Sequence, residues 1–315
     1  MTRFAIFLLV FVTSAAMAQY PSKPVRFIVP SSAGGGTDII ARALAQKLAE
    51  AFGHPFVVEN RPGAGQMIGL ELAAKAAPDG HTLVMAASTL ALNAVMYKKV
   101  PYDALRDFAP IMQAATVPNV LVVHPSLPVK SFAELLAHAR QHPGKLSYAS
   151  AGIGTSPHMA IELLASMAGI DMVHIPYKGT SPGVVDLLAG QVSVMAPNLL
   201  TALPHIKAGK LRALGVTSAV RSEALPEIPA IGEFLPGYEA AQWYGVLAPA
   251  GTPSDIVARL HAELVKALLH EEVKVRLAAD GAEPVGSSPE EFAAFIRSEI
   301  DKWAKVARAA GIRAE

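Results

Sequence analysis

Two glycine-rich segments each follow an apolar run and precede a helical pattern, and both could bind an anion. The first spans 31–37, after the apolar run Val25–Val29, and the second spans 152–158, after Leu146–Ala149. Glycine lets the backbone approach a ligand closely, and the free N–H groups at a helix start favour negative charge. Two such loops far apart in the sequence predict two lobes that grip one small anion. The candidate ligand-binding residues in these loops are Ser32, Ala33, Gly34, Gly35, Gly36, Thr37, Gly152, Gly154, Thr155, Ser156 and His158.

Polar side chains also follow other predicted strands of the chain. In open α/β sheets, ligands bind at the carboxyl ends of parallel strands, so such side chains are candidate ligand contacts. Ordinary helix caps explain the hydroxyls equally well, and a lysine at such a position is more often solvated than paired with a carboxylate. The candidates added on this ground are Ser88, Thr89, Asn93, Tyr177 and Lys178.

Several of these loops end in residues that favour the start of a helix. Ser156 precedes Pro157, and Ser181 precedes Pro182, so we expect both serines to cap the helices that follow. Asp38 lies near the start of the first helix, where its charge would oppose a nearby anion. We therefore expect Asp38 to point away from the ligand or to hold the loop.

The chain lacks the motifs of common hydrolases and nucleotide-binding proteins. No G-x-S-x-G is present, and a capping role would occupy the hydroxyl of Ser156. No P-loop motif is present, and Gly63–Gly69 has the spacing G-x-G-x-x-x-G, which is longer than a dinucleotide fingerprint. An exported hydrolase or isomerase that uses His158 with Ser156 or Lys178 is therefore the weaker alternative. We predict no catalytic residue and no cofactor.

The histidines and paired carboxylates do not predict a metal site. His138 and His142 have i,i+4 spacing, but Pro143 ends that helix and no third ligand is near in the sequence. The pair Glu271-Glu272 has the position of a helix start. His158 is explained by packing as readily as by ligand binding.

The composition excludes several classes of protein. The 315 residues include 27 Lys and Arg against 26 Asp and Glu, so no basic excess indicates nucleic-acid binding. Hydrophobic residues make up 52% and charged residues 17%, which suits an α/β protein with buried parallel sheets. There is no cysteine, which removes thiol catalysis, cysteine metal sites and disulfides.

Residues 1–18 have the pattern of a cleavable secretory signal peptide. Arg3 is followed by an apolar run over 4–12 and by Ala16-Met17-Ala18, an A-x-A cleavage site. The apolar run is too short to span a bilayer. We expect a mature protein that is exported to the periplasm, unanchored and monomeric.

Short apolar runs alternate with amphipathic helical patterns along the mature chain. This alternation predicts the α/β class, with parallel sheets and crossover helices. The predicted strands are Val25–Val29, Phe56–Glu59, Thr82–Met85, Asn119–Val123, Leu146–Ala149, Met172–Ile175, Val192–Met195, Leu211–Val216 and Tyr244–Leu247.

Two proline-rich segments are candidate crossings between lobes. One is His124–Pro128 and the other is Arg221–Pro236. The middle of the chain then forms one lobe, and the two outer parts share the other. We predict a discontinuous lobe 1 over 19–124 and 224–315, and lobe 2 over 125–223.

The chain resembles the Bug-type solute-binding receptors of tripartite tricarboxylate transporters. The resemblance runs in order over almost the whole mature chain, and the motifs are specific when taken together. They are Ile28-Val29-Pro30 with Ala33–Asp38, Glu59–Gly65, Gly152–His158, Ile175–Gly179, Gly209–Leu214 and Trp243–Pro253.

This resemblance implies a two-lobed periplasmic binding protein of the type II kind. Each lobe is expected to be a mainly parallel sheet flanked by helices, and the lobes close on a ligand in the cleft between them. The implied ligand is a small organic carboxylate held by backbone amides, hydroxyls and ordered water. The implied partner is a membrane permease, with no catalysis. The family's binding loops correspond to 31–38, 88–93, 152–158 and 177–181.

The chain departs from the family pattern at two positions. Pro30 is followed by Ser31-Ser32, where the family often has Pro-Phe, so hydroxyl donors replace an aromatic wall. Some amino-acid-binding members place an acid after the strand that corresponds to 192–195, whereas this chain has Ala196-Pro197-Asn198. Asn198 is the candidate ligand contact there, and a ligand ammonium has no obvious partner. We therefore favour a carboxylate over an amino acid.

The favoured hypothesis is a periplasmic receptor that delivers a carboxylate to a tripartite tricarboxylate-type transporter. A ligand-loaded sensory partner of a membrane kinase is the main alternative, because binding domains of this kind can do both.

Overall fold

The computed structural model describes residues 20–279 and 281–310, and the predicted signal peptide lies outside them. Within these residues, strands and helices alternate as the sequence predicts, and no helix combines the length and the apolar character needed to span a bilayer. The strands are β1 Val25–Val29, β2 Phe56–Asn60, β3 Thr82–Ala87, β4 Phe108–Val117, β5 Val120–Val123, β6 Ser147–Ser150, β7 Val173–Pro176, β8 Val194–Met195, β9 Arg212–Val216, β10 Gln242–Pro249 and β11 Glu283–Pro284. The α-helices are α1 Gly36–Phe52, α2 Met67–Ala74, α3 Thr89–Met96, α4 Phe132–Gln141, α5 Ser156–Ala168, α6 Thr180–Leu188, α7 Leu199–Lys207, α8 Ser254–Leu269, α9 Glu271–Ala279 and α10 Pro289–Ala310.

The strands form two sheets, each of which organises one lobe. The first lobe has a six-stranded sheet of order β11-β4-β10-β3-β1-β2, and the second has a five-stranded sheet of order β7-β6-β8-β5-β9. Neighbouring residues of β1 are buried on opposite sides, as a pleated strand requires. Phe27 packs in a core cluster with Leu44 of α1, whereas Ile28 packs in another with Leu70 of α2. Both faces of the first sheet are therefore covered by helices.

Both sheets are mixed, and most strands of each sheet run in one direction, in agreement with the predicted mainly parallel sheets. In the first sheet β2, β1 and β3 are parallel, but β10 runs antiparallel to β3 and β4. In the second sheet β7, β6 and β8 are parallel, but β5 runs antiparallel to β8 and β9. β5 and β10 are each the first strand that the chain forms after it crosses from the other lobe.

The first crossing between the sheets lies earlier in the chain than the sequence predicts, and the return crossing lies later. β4 belongs to the first sheet and β5 to the second, so the chain first crosses at Pro118 and Asn119, before the predicted boundary at residue 124. The segment after β9 stays with the second lobe, because Ile231 and Tyr238 pack in its core cluster. The return crossing therefore lies next to Ala240, beyond the predicted boundary at residue 223.

Thr217 joins the two crossings. Its hydroxyl accepts a hydrogen bond from Asn119 N at 2.9 Å, and its oxygen lies 2.9 Å from the carbonyl oxygen of Ala240. The backbone N–H of Ala240 donates to the carbonyl of Thr217 at 2.9 Å. The two connecting segments thus run side by side, which suits a hinge between rigid lobes.

Candidate functional site

Helix α1 begins at the cleft between the lobes, with no side chain capping its N-terminus. Its first residue is Gly36. A Cβ at this position would collide with Tyr244 Oη and would lie 2.7 Å from Asn198 Oδ1 of the second lobe. Glycine is therefore required here by the close approach of Tyr244 in the same lobe and of Asn198 in the other lobe. The uncapped helix start is buried between these two side chains, where its N–H groups favour an anion.

Asp38 holds the first glycine loop, as predicted. Its carboxylate accepts hydrogen bonds from Gly34 N, Arg42 Nε and Asn60 Nδ2, each at 2.9 Å. Burial would raise the pKa of Asp38, but the hydrogen bonds from Arg42, Gly34 and Asn60 together with the charge of Arg42 lower it below its ordinary value. Its negative charge is thus neutralised within the loop.

Helix α5 starts at the same cleft from the second lobe, also without a side-chain cap. The prediction that Ser156 caps this helix is wrong, because Thr155 occupies the cap position and Ser156 is the first helical residue. Thr155 Oγ1 donates to the carbonyl of Gly152 at 2.6 Å, and Ser156 Oγ accepts from Asn119 Nδ2 at 2.6 Å. Both hydroxyls shape the loop, and neither closes off the helix start.

Two further helix starts face the cleft without side-chain caps. Ser88 does not cap α3, because its hydroxyl donates to Gln242 Oε1 at 3.0 Å. Ser181 does not cap α6 as predicted, because Gly179 precedes that helix and Ser181 Oγ donates to the carbonyl of Ala33 at 3.0 Å. The bond from Ser181 joins the two lobes directly.

The lobes also meet at a second place, on another side of the cleft. Tyr97 Oη, from the loop after α3, donates to the carbonyl of Ile153 at 3.0 Å. A Cβ at Gly65 would lie 2.6 Å from the same carbonyl oxygen, so only a glycine fits there. The contacts of Ser181 and Tyr97 together close the cleft around the helix starts.

Several buried side-chain oxygens around these contacts lack a hydrogen-bond partner among the described residues. Buried polar groups are normally paired, so unpaired ones next to a cleft indicate where a ligand or ordered water binds. Asn93 Nδ2 donates to the carbonyl of Gly65 and to Tyr102 Oη, both at 3.0 Å, which leaves Oδ1 as an acceptor beside Gly154. The unpaired oxygens at the cleft and its crossing are Ser31 Oγ, Ser32 Oγ, Gln66 Oε1, Thr89 Oγ1, Asn93 Oδ1 and Asn119 Oδ1.

The structure gives the side-chain positions of three further predicted contacts, whose role in ligand binding stays a prediction. Lys178 is exposed and forms no salt bridge with a described residue. Tyr177 Oη donates to Asp186 Oδ2 at 2.6 Å, and burial together with this acceptor raises its pKa to about 12. Asn198 Oδ1 caps α7, where it accepts from Thr201 N at 3.0 Å.

His158 is buried behind the loop at 152–155 and does not contact Ser156 as a hydrolase would require. Its Nδ1 accepts a hydrogen bond from Gly154 N at 3.2 Å, and its ring stacks on that of His174 at 4.2 Å between centroids. Burial lowers the pKa of His158 to about 4. In the described part of the chain, no group of three or more His, Asp or Glu side chains could hold a metal ion.

Sequence reasoning missed several contacts at the cleft. Tyr97 and Ser181 each bond to a residue of the other lobe, and Asn119 bonds to Ser156 within the second lobe, so no local motif identifies these contacts. The buried oxygen of Gln66, which has no partner among the described residues, was missed as well. Gln66 gives one usable signal, since it follows Gly65 in a glycine-rich segment that we did not assign to the ligand site.

Comparisons with known proteins agree with this geometry. The family model "Tripartite tricarboxylate transporter family receptor" (TctC) matches residues 40–312. BugT of Bordetella pertussis is 38% identical over 322 residues, covering 99% of each chain. The solved structure of R. palustris Rpa4515 with adipate is 38% identical, with a TM-score of 0.91 over 94% of this chain and 100% of that chain. MatC from Rhodopseudomonas palustris with bound malate is 32% identical, with a TM-score of 0.88 over 91% of this chain and 99% of that chain.

These matches extend over nearly the full length of the chain and include both lobes. They confirm the resemblance that the motifs indicated and the two-lobed α/β fold. The chain therefore belongs to the tripartite tricarboxylate transporter receptor family, as a Bug-type solute-binding protein.

Proposed function

We propose that this protein captures a small organic carboxylate between its two lobes and delivers it to the membrane permease of a tripartite tricarboxylate-type transporter. The observation that carries the proposal is the meeting of uncapped helix starts from both lobes, α1 and α5, at one closed cleft. Each start presents backbone N–H groups and the positive end of a helix dipole to an anion. In this proposal, residues 20–118 and 241–310 form the first lobe, and residues 119–240 form the second.

The cleft suits an anion that is held by neutral donors. Hydroxyls such as those of Ser32 and Thr89 can donate to a carboxylate, and hydrogen bonds to a charged acceptor are stronger than neutral ones. Closure around the ligand lowers the local dielectric and strengthens these bonds. The amide oxygens of Gln66, Asn93 and Asn119 can only accept, so they bind ordered water or a ligand hydroxyl.

Two structural relatives indicate the ligands to test first. Rpa4515 is solved with adipate and MatC with bound malate, and both are dicarboxylates. They differ in chain length and in the hydroxyl of malate, so the two ligands probe the width of the cleft and its unpaired acceptors separately.

Export, partner and oligomeric state belong to the same proposal. The signal-peptide pattern over 1–18 supports export to the periplasm, where a receptor must meet both its ligand and its permease. We propose a monomer, because a cleft formed by two lobes of one chain needs no second subunit.

A thermal-shift and calorimetry panel on the mature chain from Gln19 tests the proposal. The panel contains malate, succinate, adipate and citrate, with adipamide as an uncharged control. A ligand at about 100-fold its dissociation constant stabilises the fold by roughly 2.7 kcal/mol, which raises the melting temperature of a chain of this size by about 4 °C. A shift with at least one carboxylate and none with adipamide supports the proposal. No shift with any carboxylate, with no co-purified ligand in denaturing mass spectrometry, overturns it.

A further inference from the structure

A stack of three rings lies directly behind the loop that starts α5. Tyr148 of β6, His174 of β7 and His158 of α5 follow one another in the stack. The centroids of Tyr148 and His174 are 4.8 Å apart, and those of His174 and His158 are 4.2 Å apart. One ring thus comes from each of the three elements that surround the loop.

Both imidazoles are bonded to the loop itself. His158 Nδ1 accepts from Gly154 N at 3.2 Å. His174 Nε2 lies 2.6 Å from Ser150 Oγ, which in turn accepts from Gly152 N at 3.1 Å. The stack therefore fixes, directly or through Ser150, the N–H groups of both loop glycines.

These bonds decide which N–H groups remain for a ligand. The N–H of Thr155 donates to the carbonyl of Gly152 at 3.2 Å, so it is also used within the loop. The N–H of Ser156, at the first position of α5, has no partner among the described residues. With the N–H groups of Gly152, Gly154 and Thr155 used within the loop, the N–H of Ser156 at the helix start is left for an anion.

We propose that His158 and His174 are positioning residues that preset the binding loop, and that His158 does so as the neutral tautomer with its proton on Nε2. An imidazole nitrogen accepts a hydrogen bond only when it is unprotonated, so the bond from Gly154 N fixes the tautomer. This inference rests on the proposed function for the role of the loop, but the geometry of the stack stands without it.

The surroundings of the stack favour the neutral form. From α5, Glu162 Oε1 lies 4.0 Å from His158 Nε2 and accepts a hydrogen bond from Tyr148 of β6. From the segment between α5 and β7, Asp171 lines the same outer opening as Tyr148 and Glu162. Burial lowers the pKa of His158 to about 4, and burial together with the charge of His158 lowers that of His174 to about 4.

Acid therefore releases the loop. Below about pH 5, protonation of His158 removes the acceptor that holds Gly154 N and places a charge beside His174. The N–H of Gly154 is then free, and the loop loses its preset shape.

Long-range ¹H–¹⁵N NMR on the whole mature chain tests this without any ligand. From pH 8 to about pH 5.5 we expect His158 to show one neutral tautomer with its proton on Nε2. The Gly154 amide resonance should titrate together with His158 as the pH is lowered further. The proposal is overturned by a proton on Nδ1 of His158 at neutral pH. It is also overturned if the Gly154 amide resonance does not shift as His158 titrates.

Two variants at one position separate positioning from packing. His158→Asn keeps an acceptor on the same branch of the side chain, whereas His158→Phe keeps a ring and removes the acceptor. We expect Phe to raise the hydrogen-exchange rate of the Gly154 amide about fivefold to tenfold, and Asn to restore most of the protection. Equal exchange in His158→Phe and the wild type, or no rescue by Asn, contradicts the proposal.

Affinity for malate and adipate should follow the same order, with wild type and His158→Asn above His158→Phe. If neither ligand binds the wild type, the proposed ligand class fails, but the NMR and exchange results still decide the role of the stack. If malate or adipate binds all three proteins equally, the loop binds the ligand without help from His158 and the positioning role is overturned.

Discussion

Thr89 has two properties that favour a ligand contact over a purely structural role. Its hydroxyl is fully buried, and it has no hydrogen-bond partner among the described residues. It lies one helical turn before Asn93, whose unpaired oxygen faces Gly154 across the cleft. A buried unpaired hydroxyl destabilises the ligand-free fold. Its presence is explained if a ligand or an ordered water hydrogen-bonds to it.

Thr89→Val should therefore lower affinity without lowering stability. Valine keeps the shape of threonine and removes the unpaired oxygen. We expect affinity for the bound carboxylate to fall about fivefold to tenfold, while the unfolding free energy stays constant or rises by about 1 kcal/mol. Calorimetry and urea unfolding of the same preparation measure the two quantities.

Thr252→Val is the matched control. Its hydroxyl is also buried but donates to the carbonyl of Pro249 at 2.7 Å, away from the cleft. This change should lower the unfolding free energy by about 1 kcal/mol and leave affinity unchanged. If Thr89→Val behaves like Thr252→Val, Thr89 is a structural residue.

The Asp38 carboxylate should make stability depend on pH. Its folded-state pKa is lowered, since hydrogen bonds from Arg42, Gly34 and Asn60 outweigh the effect of burial. The carboxylate therefore stabilises the fold fully above its unfolded pKa of about 3.9, and the stabilisation is lost as the pH falls through the lower folded pKa. Asp38→Asn should reduce the unfolding free energy at pH 7 by about 1–3 kcal/mol and flatten this acid dependence.

Urea unfolding at several pH values measures this effect. Glu263→Gln is the control, because Glu263 pairs with Lys266 at 2.8 Å on an exposed helix face. Such surface pairs contribute roughly 0–1 kcal/mol. An equal loss of unfolding free energy in both variants would mean that Asp38 contributes no more to stability than an exposed ion pair on a helix.

At the scale of single residues, the sequence predicts the loops better than the contacts. Glycine and proline patterns locate both candidate binding loops, because these residues restrict or free the backbone locally. They do not show where a hydroxyl points. Ser156 and Ser181 both have a capping pattern, yet each bonds to a residue far away in the chain, Asn119 in one case and Ala33 in the other.

The loop after α3 and the loop before α5 are joined by the bond between Tyr97 Oη and the Ile153 carbonyl, which can exist only when the lobes are closed. A neutral hydrogen bond contributes about 0.5–1.5 kcal/mol. We expect Tyr97→Phe to raise the dissociation rate of the ligand about twofold to tenfold and to change the association rate little. Stopped-flow fluorescence with malate or adipate measures both rates.

Tyr238→Phe is the control for Tyr97→Phe. Tyr238 Oη also donates to a backbone carbonyl, that of Ala160 at 2.9 Å, but both residues pack within the second lobe. Its loss should reduce stability and leave the dissociation rate unchanged. If the ligand dissociates from Tyr97→Phe at the wild-type rate, the contact with Ile153 does not retain the ligand.

Strand β4 shows why some elements were not predicted. It contains Pro110 and several alanines, which are uncommon in strands. The strand tolerates Pro110 because β11 pairs with β4 only at Thr116 and Ala115, so the ladder is open on one side of the proline. Strong runs such as β1 were predicted with their observed bounds, since every residue of that strand except Arg26 is apolar and the local pattern suffices.

The whole molecule depends on closure around two adjacent crossings. Asn119 of the first crossing and Ala240 of the second both bond to Thr217, so the lobes can rotate about one joint. Helix α10 also connects the lobes, because Phe292 packs against the first sheet and Trp303 packs with the core of the second. Glu299 accepts from both Trp243 Nε1 and Trp303 Nε1, at 3.2 and 3.1 Å, and fixes this helix to β10.

Gly36→Ala should hold the lobes apart. The backbone at Gly36 suits alanine, but the added Cβ would collide with Tyr244 Oη and lie 2.7 Å from Asn198 Oδ1 of the second lobe. Small-angle scattering of the wild type should show a smaller radius of gyration with ligand than without. If the variant makes the closed form about tenfold rarer, affinity falls about tenfold and the compaction is reduced.

Gly35→Ala distinguishes this effect from damage to the loop. Its Cβ would lie 3.4 Å from the Ser32 carbonyl oxygen, which is ordinary contact, so the lobes can still close. Loss of a glycine at the helix cap should affect stability, whereas ligand-driven compaction should persist. If Gly36→Ala compacts as the wild type does, Asn198 moves aside at little cost, and binding does not require the close approach of α7 to the start of α1.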